Sequence, residues 1–251
     1  MTTQTTVAVT PREPALLGQT VVVIGGSAGI GLATARAATA EGASVVLTGR
    51  DHRRLEEAAK EVGAAGHAAF DATDSDRLRE FFRTLAEPVD HVLVSAGGPF
   101  YAPLADMDTA AAARHVAEKV QLSLEVAKLA STTVRPGGTV LFIGGTGGRR
   151  PAVGISVVAL LSVGMQALTK DLALELAPVR VNLIAPGFVD TPLSASLLGD
   201  GLDVRRAPLR ETLPIKRVVG PEDVAALAVH LMVNTALTGA TFDVDGGQQI
   251  I

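Results

Sequence analysis

The chain has 251 residues, with 22 Lys+Arg against 26 Asp+Glu for a formal charge of −4, and 47% of its residues are hydrophobic against 19% charged. With no cysteine, disulfides, thiolate nucleophiles and Cys-ligated metal centres are excluded, and so apolar a chain with so little net charge is not a disordered one. A mildly acidic chain without a basic stripe also makes a poor nucleic-acid binder, and none is expected as a partner.

Residues 1–15 are Thr-rich and lack a basic segment followed by an apolar run, so they read as a flexible arm without a secretory signal, and a cytoplasmic location is expected. Short β-branched runs then alternate with helical stretches, which predicts a parallel sheet covered by helices. The first strand is Thr20 to Ile24, followed by the turn Gly25-Gly26-Ser27-Ala28-Gly29 and an Ala-rich helix from about Ile30 to Glu41. Ser44 to Thr48 is the second strand, leading through Gly49 and Arg50 to a charged helix ending near Val62. His67 to Phe70 is a short third strand, and Asp74 or Ser75 caps the helix that runs to Leu85. His91 to Ser95 is the fourth strand. A long helical region from Thr109 to Val134 precedes the fifth, Thr139 to Ile143.

Pro151 to Thr169 carries no charge over nearly a membrane-spanning length. Gly154, Ser156, Ser162, Gly164 and Gln166 interrupt it and charges resume at Lys170, so it reads as a helix buried in the protein or in a subunit interface, with no membrane partner. Val179 to Ile184 is the sixth strand. Thr191 to Val219, with Pro192, Pro208 and Pro214, reads as irregular and of lid length. Pro221 opens a last helix to about Val233, and Thr241 to Val244 closes the sheet. No linker divides the chain, so residues 16–251 are expected to form one domain: a doubly wound α/β fold of Rossmann type, with a central parallel sheet and helices on both faces.

The glycine turn carries the first chemical signal. Glycines after the first strand of a βαβ unit let backbone N–H groups approach a pyrophosphate at a helix N-terminus. The same residues match G-x-S-x-G with Ser27 as nucleophile, but that elbow normally lies deep in a sheet, and the one late histidine, His230, falls in the last helix on a packed-looking pattern. Five histidines without ligand spacing point away from a metal site.

Taken together these motifs resemble the short-chain dehydrogenase/reductase family from about Leu17 onward. Gly25-(x)3-Gly29-Ile30-Gly31 is similar to its cofactor turn, with Ile24 in place of the usual Thr. Asp71, with Ala72 after it, matches the position that contacts the adenine. Ser95-Ala96-Gly97 matches the end of the Asn-Asn-Ala-Gly turn, Val94 and Ser95 replacing both asparagines. Pro186-Gly187-Phe188-Val189-Asp190-Thr191 resembles the segment that holds the nicotinamide carboxamide. The resemblance implies a small-molecule substrate and a homodimer or homotetramer built on the apolar 152–168 helix.

Cofactor choice has a physical basis. An NAD site places a carboxylate at the end of strand two to accept the ribose 2′-OH. Here Gly49 and Arg50 stand there, and a guanidinium pairs with a 2′-phosphate, so NADP(H) is the expected cofactor, with Arg53 and Arg54 nearby. Against this, Ala28 lacks the basic residue many NADP-using members carry.

The catalytic positions depart from the family. By the resemblance, its Tyr and Lys fall on Val158 and Ser162, its Ser on Gly145 and its Asn on Lys119. Three outcomes are open. Hydride transfer to a small, fairly apolar substrate can persist with another acid, for which Lys119, Thr146 and the sole tyrosine, Tyr101, are the candidates. The site can run a non-redox reaction, or the chain can be a silent nucleotide-binding sensor or subunit. Arg149 and Arg150 either face an anionic substrate or lie in a solvated loop, and Leu193, Leu197 and Leu198 suggest an apolar pocket.

Overall fold

A computed structural model describes residues 12–85 and 88–251. Most of the expected N-terminal arm, residues 1–11, lies outside the described residues. Its last part is held rather than loose: Arg12 pairs with Glu41, and the Ala15 N–H donates to the same carboxylate at 2.8 Å.

Seven parallel strands form one sheet in the order β3-β2-β1-β4-β5-β6-β7. The strands are β1 (Thr20–Ile24), β2 (Ser44–Gly49), β3 (Gly66–Ala69), β4 (Val89–Val94), β5 (Val134–Ile143), β6 (Arg180–Pro186) and β7 (Thr241–Val244). Between them run α1 (Gly29–Ala40), α2 (His52–Val62), α3 (Ser75–Thr84), α4 (Thr109–Thr133), α5 (Ser156–Glu175), α6 (Pro192–Leu198), α7 (Leu202–Thr212) and α8 (Pro221–Val233). Strand alternation builds two cores. Val21 and Val23 of β1 face α1, α2 and α8, while Val22 and Ile24 face α3, α4 and α5. Chain winding reverses between β1 and β4, which opens a crevice at the carboxyl ends of the strands.

Two expectations are corrected. The segment read as irregular is mostly helical: Thr191 caps α6 with Pro192 in its first turn, and α7 accommodates Pro208 internally. The prolines misled because proline is tolerated in a first turn, and α7 persists with one ladder bond missing. The uncharged stretch is the second correction. Its first residues form a loop turned by Gly154 at φ +85°, and the helix starts only at Ser156. α5 is long and apolar enough to cross a membrane by length and composition, with mean hydropathy 1.5. It packs Met165 and Leu172 into the core yet leaves Leu160, Val163 and Leu174 exposed, so within one chain it is not buried on most sides.

Candidate active site

The glycine turn draws three strand ends together. A Cβ on Gly25 would lie 2.6 Å from the Ala96 nitrogen beyond β4, and one on Gly49 would lie 3.0 Å from Ser27 Oγ. Gly29, at φ +53°, stands 3.5 Å from Thr191 beyond β6, counted from the same position. Gly31 is the tightest of all, since its Cβ would sit 2.1 Å from the Gly25 carbonyl oxygen. Helix and turn could not approach if any other residue stood there. Thr48, at the end of β2, was not singled out from sequence; its carbonyl accepts from Gly26 N–H at 2.8 Å and fixes the turn. A polar residue ending an otherwise apolar strand was the available signal.

Above this turn α1 begins at Gly29; Ala28 before it offers no side-chain cap, and the first turn holds no acidic residue. Ile30 and Gly31 therefore present backbone N–H groups with no internal partner, an arrangement that favours an anion. Ser27 is buried, and His230 is exposed on α8 rather than packed, with Asn234 at 3.3 Å as its partner, so the nucleophile-elbow reading finds no imidazole for Ser27.

Arg50 is exposed just beyond Gly49. The neighbouring Asp51 is occupied as the cap of α2, accepting from Arg54 N–H at 2.9 Å. Asp71 accepts from Thr73 N–H at 3.0 Å and from its hydroxyl at 2.8 Å; these bonds, with Arg50 close by, hold its carboxyl below the usual range. Ala72 is buried beside it. Ser95 donates its N–H to Ile24 at 2.8 Å, and Gly97, at φ +96°, has open space where a side chain would go.

On the far side, Gly187 is wedged against Asp245 and Gln248, and its N–H reaches the Val244 carbonyl at 3.1 Å. Val189 bridges to Val219, its carbonyl accepting from Ser194 Oγ at 2.5 Å, and Thr191 Oγ1 accepts from Ser194 N–H at 3.2 Å. Arg149 and Arg150 are exposed in the loop after β5, as the solvated-loop alternative has it, and both also pin the C-terminal segment, Arg149 pairing with Asp243 at 2.7 Å and Arg150 donating to the Gln248 carbonyl.

The remaining candidates divide. Lys119 on α4 is half-buried and donates from Nζ to the Ile143 carbonyl at the end of β5, 3.3 Å away. Burial alone lowers its pKa to about 8. Thr146 is buried, its N–H bonded to the Pro186 carbonyl at 3.1 Å, which ties the loop after β5 to β6. Tyr101 is 58% exposed, and partial burial of its hydroxyl raises its pKa, opposed by Arg205. Val158 and Ser162, one turn apart on α5, both face the glycine loop after β5: a Cβ on Gly147 would lie 2.6 Å from Val158 Cγ1 and 3.8 Å from Ser162 Oγ. Among the described residues no cluster of acids and histidines could hold a metal.

Comparison with known proteins agrees with this geometry. A family model described as enoyl-(acyl carrier protein) reductase matches residues 25–249. Short-chain dehydrogenase/reductase ATR9 of Stachybotrys chlorohalonatus is 31% identical over 93% of this chain and 98% of its own. The chain belongs to the short-chain dehydrogenase/reductase family. It is therefore an oxidoreductase by descent, from a family that binds nicotinamide cofactors. Among solved relatives, the reductase/Diels-Alderase MalC of Malbranchea aurantiaca superposes with a TM-score of 0.86 at 25% identity over 93% of this chain and 97% of that one. A small-chain dehydrogenase in complex with NADPH gives 0.80 at 26% identity, over 93% and 99%. The Rossmann-type expectation for a short-chain dehydrogenase/reductase is met in full.

Proposed function

We propose that this chain is an NADP(H)-dependent oxidoreductase that reduces a small, fairly apolar organic substrate, with Lys119 supplying the proton in place of the family's tyrosine. The Lys119 ammonium at the end of β5 carries this reading. A dinucleotide fits the residues present: Gly25 and Gly31 pack so closely on neighbouring backbone that no side chain covers the turn, and the start of α1 above it is uncapped. Gly25, Ser27, Gly29, Ile30 and Gly31 would hold the pyrophosphate, and Asp71, Ala72, Ser95, Ala96 and Gly97 would line the adenosine side. Pro186, Gly187, Val189 and Thr191 would hold the nicotinamide end. Arg50 favours a 2′-phosphate because it forms no salt bridge among the described residues, Asp51 being spent on its own helix and Asp71 bonded to Thr73.

NADPH, when bound, supplies the hydride. Lys119, protonated below about pH 8, donates to the oxygen or carbon that becomes negative as hydride arrives, and the Ile143 carbonyl keeps its ammonium oriented. Thr146 and Ser162 offer hydroxyls that position substrate. Reduction should then fall as pH rises through about 8, where the ammonium loses its proton, and the reverse reaction should rise over the same range. Steady-state pH profiles with ketones, imines and activated alkenes test this. NADPH that binds but is never oxidised would instead support a silent or non-redox member, the reading favoured by Val158 where a phenol is expected. Exposed Val120 and Leu124 on α4, with Leu160 and Val163 on α5, support a homodimer or homotetramer, which light scattering measures.

A further inference from the structure

Two neighbouring arginines on α7 differ in their partners. Arg206 on α7 pairs with both Asp190 at 2.6 Å and Asp203 at 3.1 Å. Its neighbour Arg205 pairs with no carboxylate among the described residues. Instead its Cζ lies 5.7 Å from the centre of the Phe188 ring. Phe188 directly follows Pro186 and Gly187 at the end of β6, and its N–H is held by Gln248 Oε1 at 2.9 Å. The ring thus holds the exposed guanidinium beside the segment that follows β6.

Tyr101 comes from the opposite side, just past β4. Burial pushes its hydroxyl pKa up, and the Arg205 charge opposes that push. The surroundings are apolar. Gly98, three residues before Tyr101, packs 3.6 Å from Leu193 of α6, counted from the position of its missing Cβ. Leu193 and Leu197 of α6, and Leu104 and Val153 of the loops after β4 and β5, are exposed. A guanidinium offers paired N–H donors in a plane that matches a carboxylate, and a phenol adds one more. A single positive charge balances one carboxylate, whereas a phosphate dianion would call for a second cation.

From this geometry we propose that Arg205 and Tyr101 form a carboxylate clamp, so that the substrate is an apolar organic acid whose reducible group reaches inward to Lys119. The clamp rests on the oxidoreductase reading for its direction, but its binding is measurable without turnover. Benzoylpropionate and its primary amide share a skeleton and differ in the anion, and calorimetry on the NADPH-saturated protein reads each affinity. The carboxylate should bind at least about 10-fold tighter than the amide, with the preference shrinking as salt rises. Arg205→Gln should bring the ratio to about one, and Arg205→Lys should restore part of it, since charge returns without the planar fork. Arg210→Gln, about 140° further round α7, should leave the ratio at the wild-type value. Equal binding of acid and amide, no carboxylate binding at millimolar concentration, or a preference that survives Arg205→Gln would each overturn the clamp. A carboxylate that binds through Arg205 while no NADPH is oxidised upholds the clamp and removes the oxidoreductase reading instead.

Discussion

The two edges of the sheet treat charge in opposite ways. At the amino ends of the strands, buried charges are fully engaged. Asp90 accepts from Thr20 N–H at 2.6 Å and pairs with Arg135. Arg180, only 6% exposed, donates to the carbonyls of Leu231 at 2.7 Å, Met232 at 2.8 Å and Asn234 at 3.1 Å, closing the last turn of α8. His91 gives Nε2 to Gln19 at 2.7 Å, and burial beside Arg180 and Arg135 holds its pKa down to about 3, so it stays neutral. At the carboxyl ends Arg50, Lys119 and Arg205 have no carboxylate partner among the described residues. One edge spends its polar groups on holding the fold, and the other keeps them for something that arrives from solution.

That contrast breaks first at Arg180. Arg180→Ala leaves several α8 carbonyls buried and unpaired, and should cost about 3–5 kcal/mol of unfolding free energy in urea titration. NADPH affinity of the molecules that remain folded should not change. Lys119→Met should do the reverse. Turnover should fall at least about 100-fold, while the protein becomes more stable at neutral pH by roughly 1–3 kcal/mol. The sign follows from the folded pKa of about 8, lowered from 10.5 by burial. A buried ammonium destabilises the fold below about pH 8, and this cost fades as pH rises toward 10.5. The stability gap between wild type and variant should therefore narrow over that window, as thermal unfolding at several pH values would show. A variant both slower and less stable would mean that Lys119 belongs with the amino-end residues.

How much of this was legible in the sequence differs between the two edges. Gly25, Gly29, Gly31, Asp71 and Gly187 announce themselves because backbone conformation and close approach admit few alternatives, and their spacing survives in the linear chain. The strands were equally legible, although β5 starts at Val134, earlier than expected, because Val134 pairs with Val89 across a register shift. Arg180, Thr48 and Arg205 carried no local signal. Arg180 sits in a strand where an arginine reads as surface, and only the arrival of α8 turns it into a cap. Arg205 gains meaning from Phe188 and Tyr101, which lie 17 and 104 positions away in sequence. Residues whose role rests on backbone geometry can be read in one dimension, and residues whose role rests on assembled charge cannot.

Arg50 tests the carboxyl edge with a smaller effect. Arg50→Gln should weaken NADPH by about 10- to 100-fold, the loss of one charge-assisted phosphate contact. NADH should bind as before, and stability should move by less than about 0.5 kcal/mol because the side chain is exposed. Fluorescence titration with both cofactors gives the ratio directly. Equal losses for the two would place Arg50 outside the 2′-phosphate site.

The smallest effect is expected at Arg149, which like Arg206 is a compensated cation on the carboxyl edge. It lies in the loop after β5, near the crevice, yet Asp243 of β7 takes up its charge at 2.7 Å with both side chains partly exposed. Such a pair contributes at most about 1 kcal/mol. Arg149→Gln should therefore shift the urea midpoint slightly and leave both the NADPH affinity and the carboxylate-to-amide ratio untouched. If the ratio instead fell with Arg149 as it is expected to fall with Arg205, proximity to the crevice would matter more than freedom from a partner. The division between the edges would then be one of position. An unchanged ratio makes it one of charge compensation, with function belonging to the cations that the fold leaves unpaired.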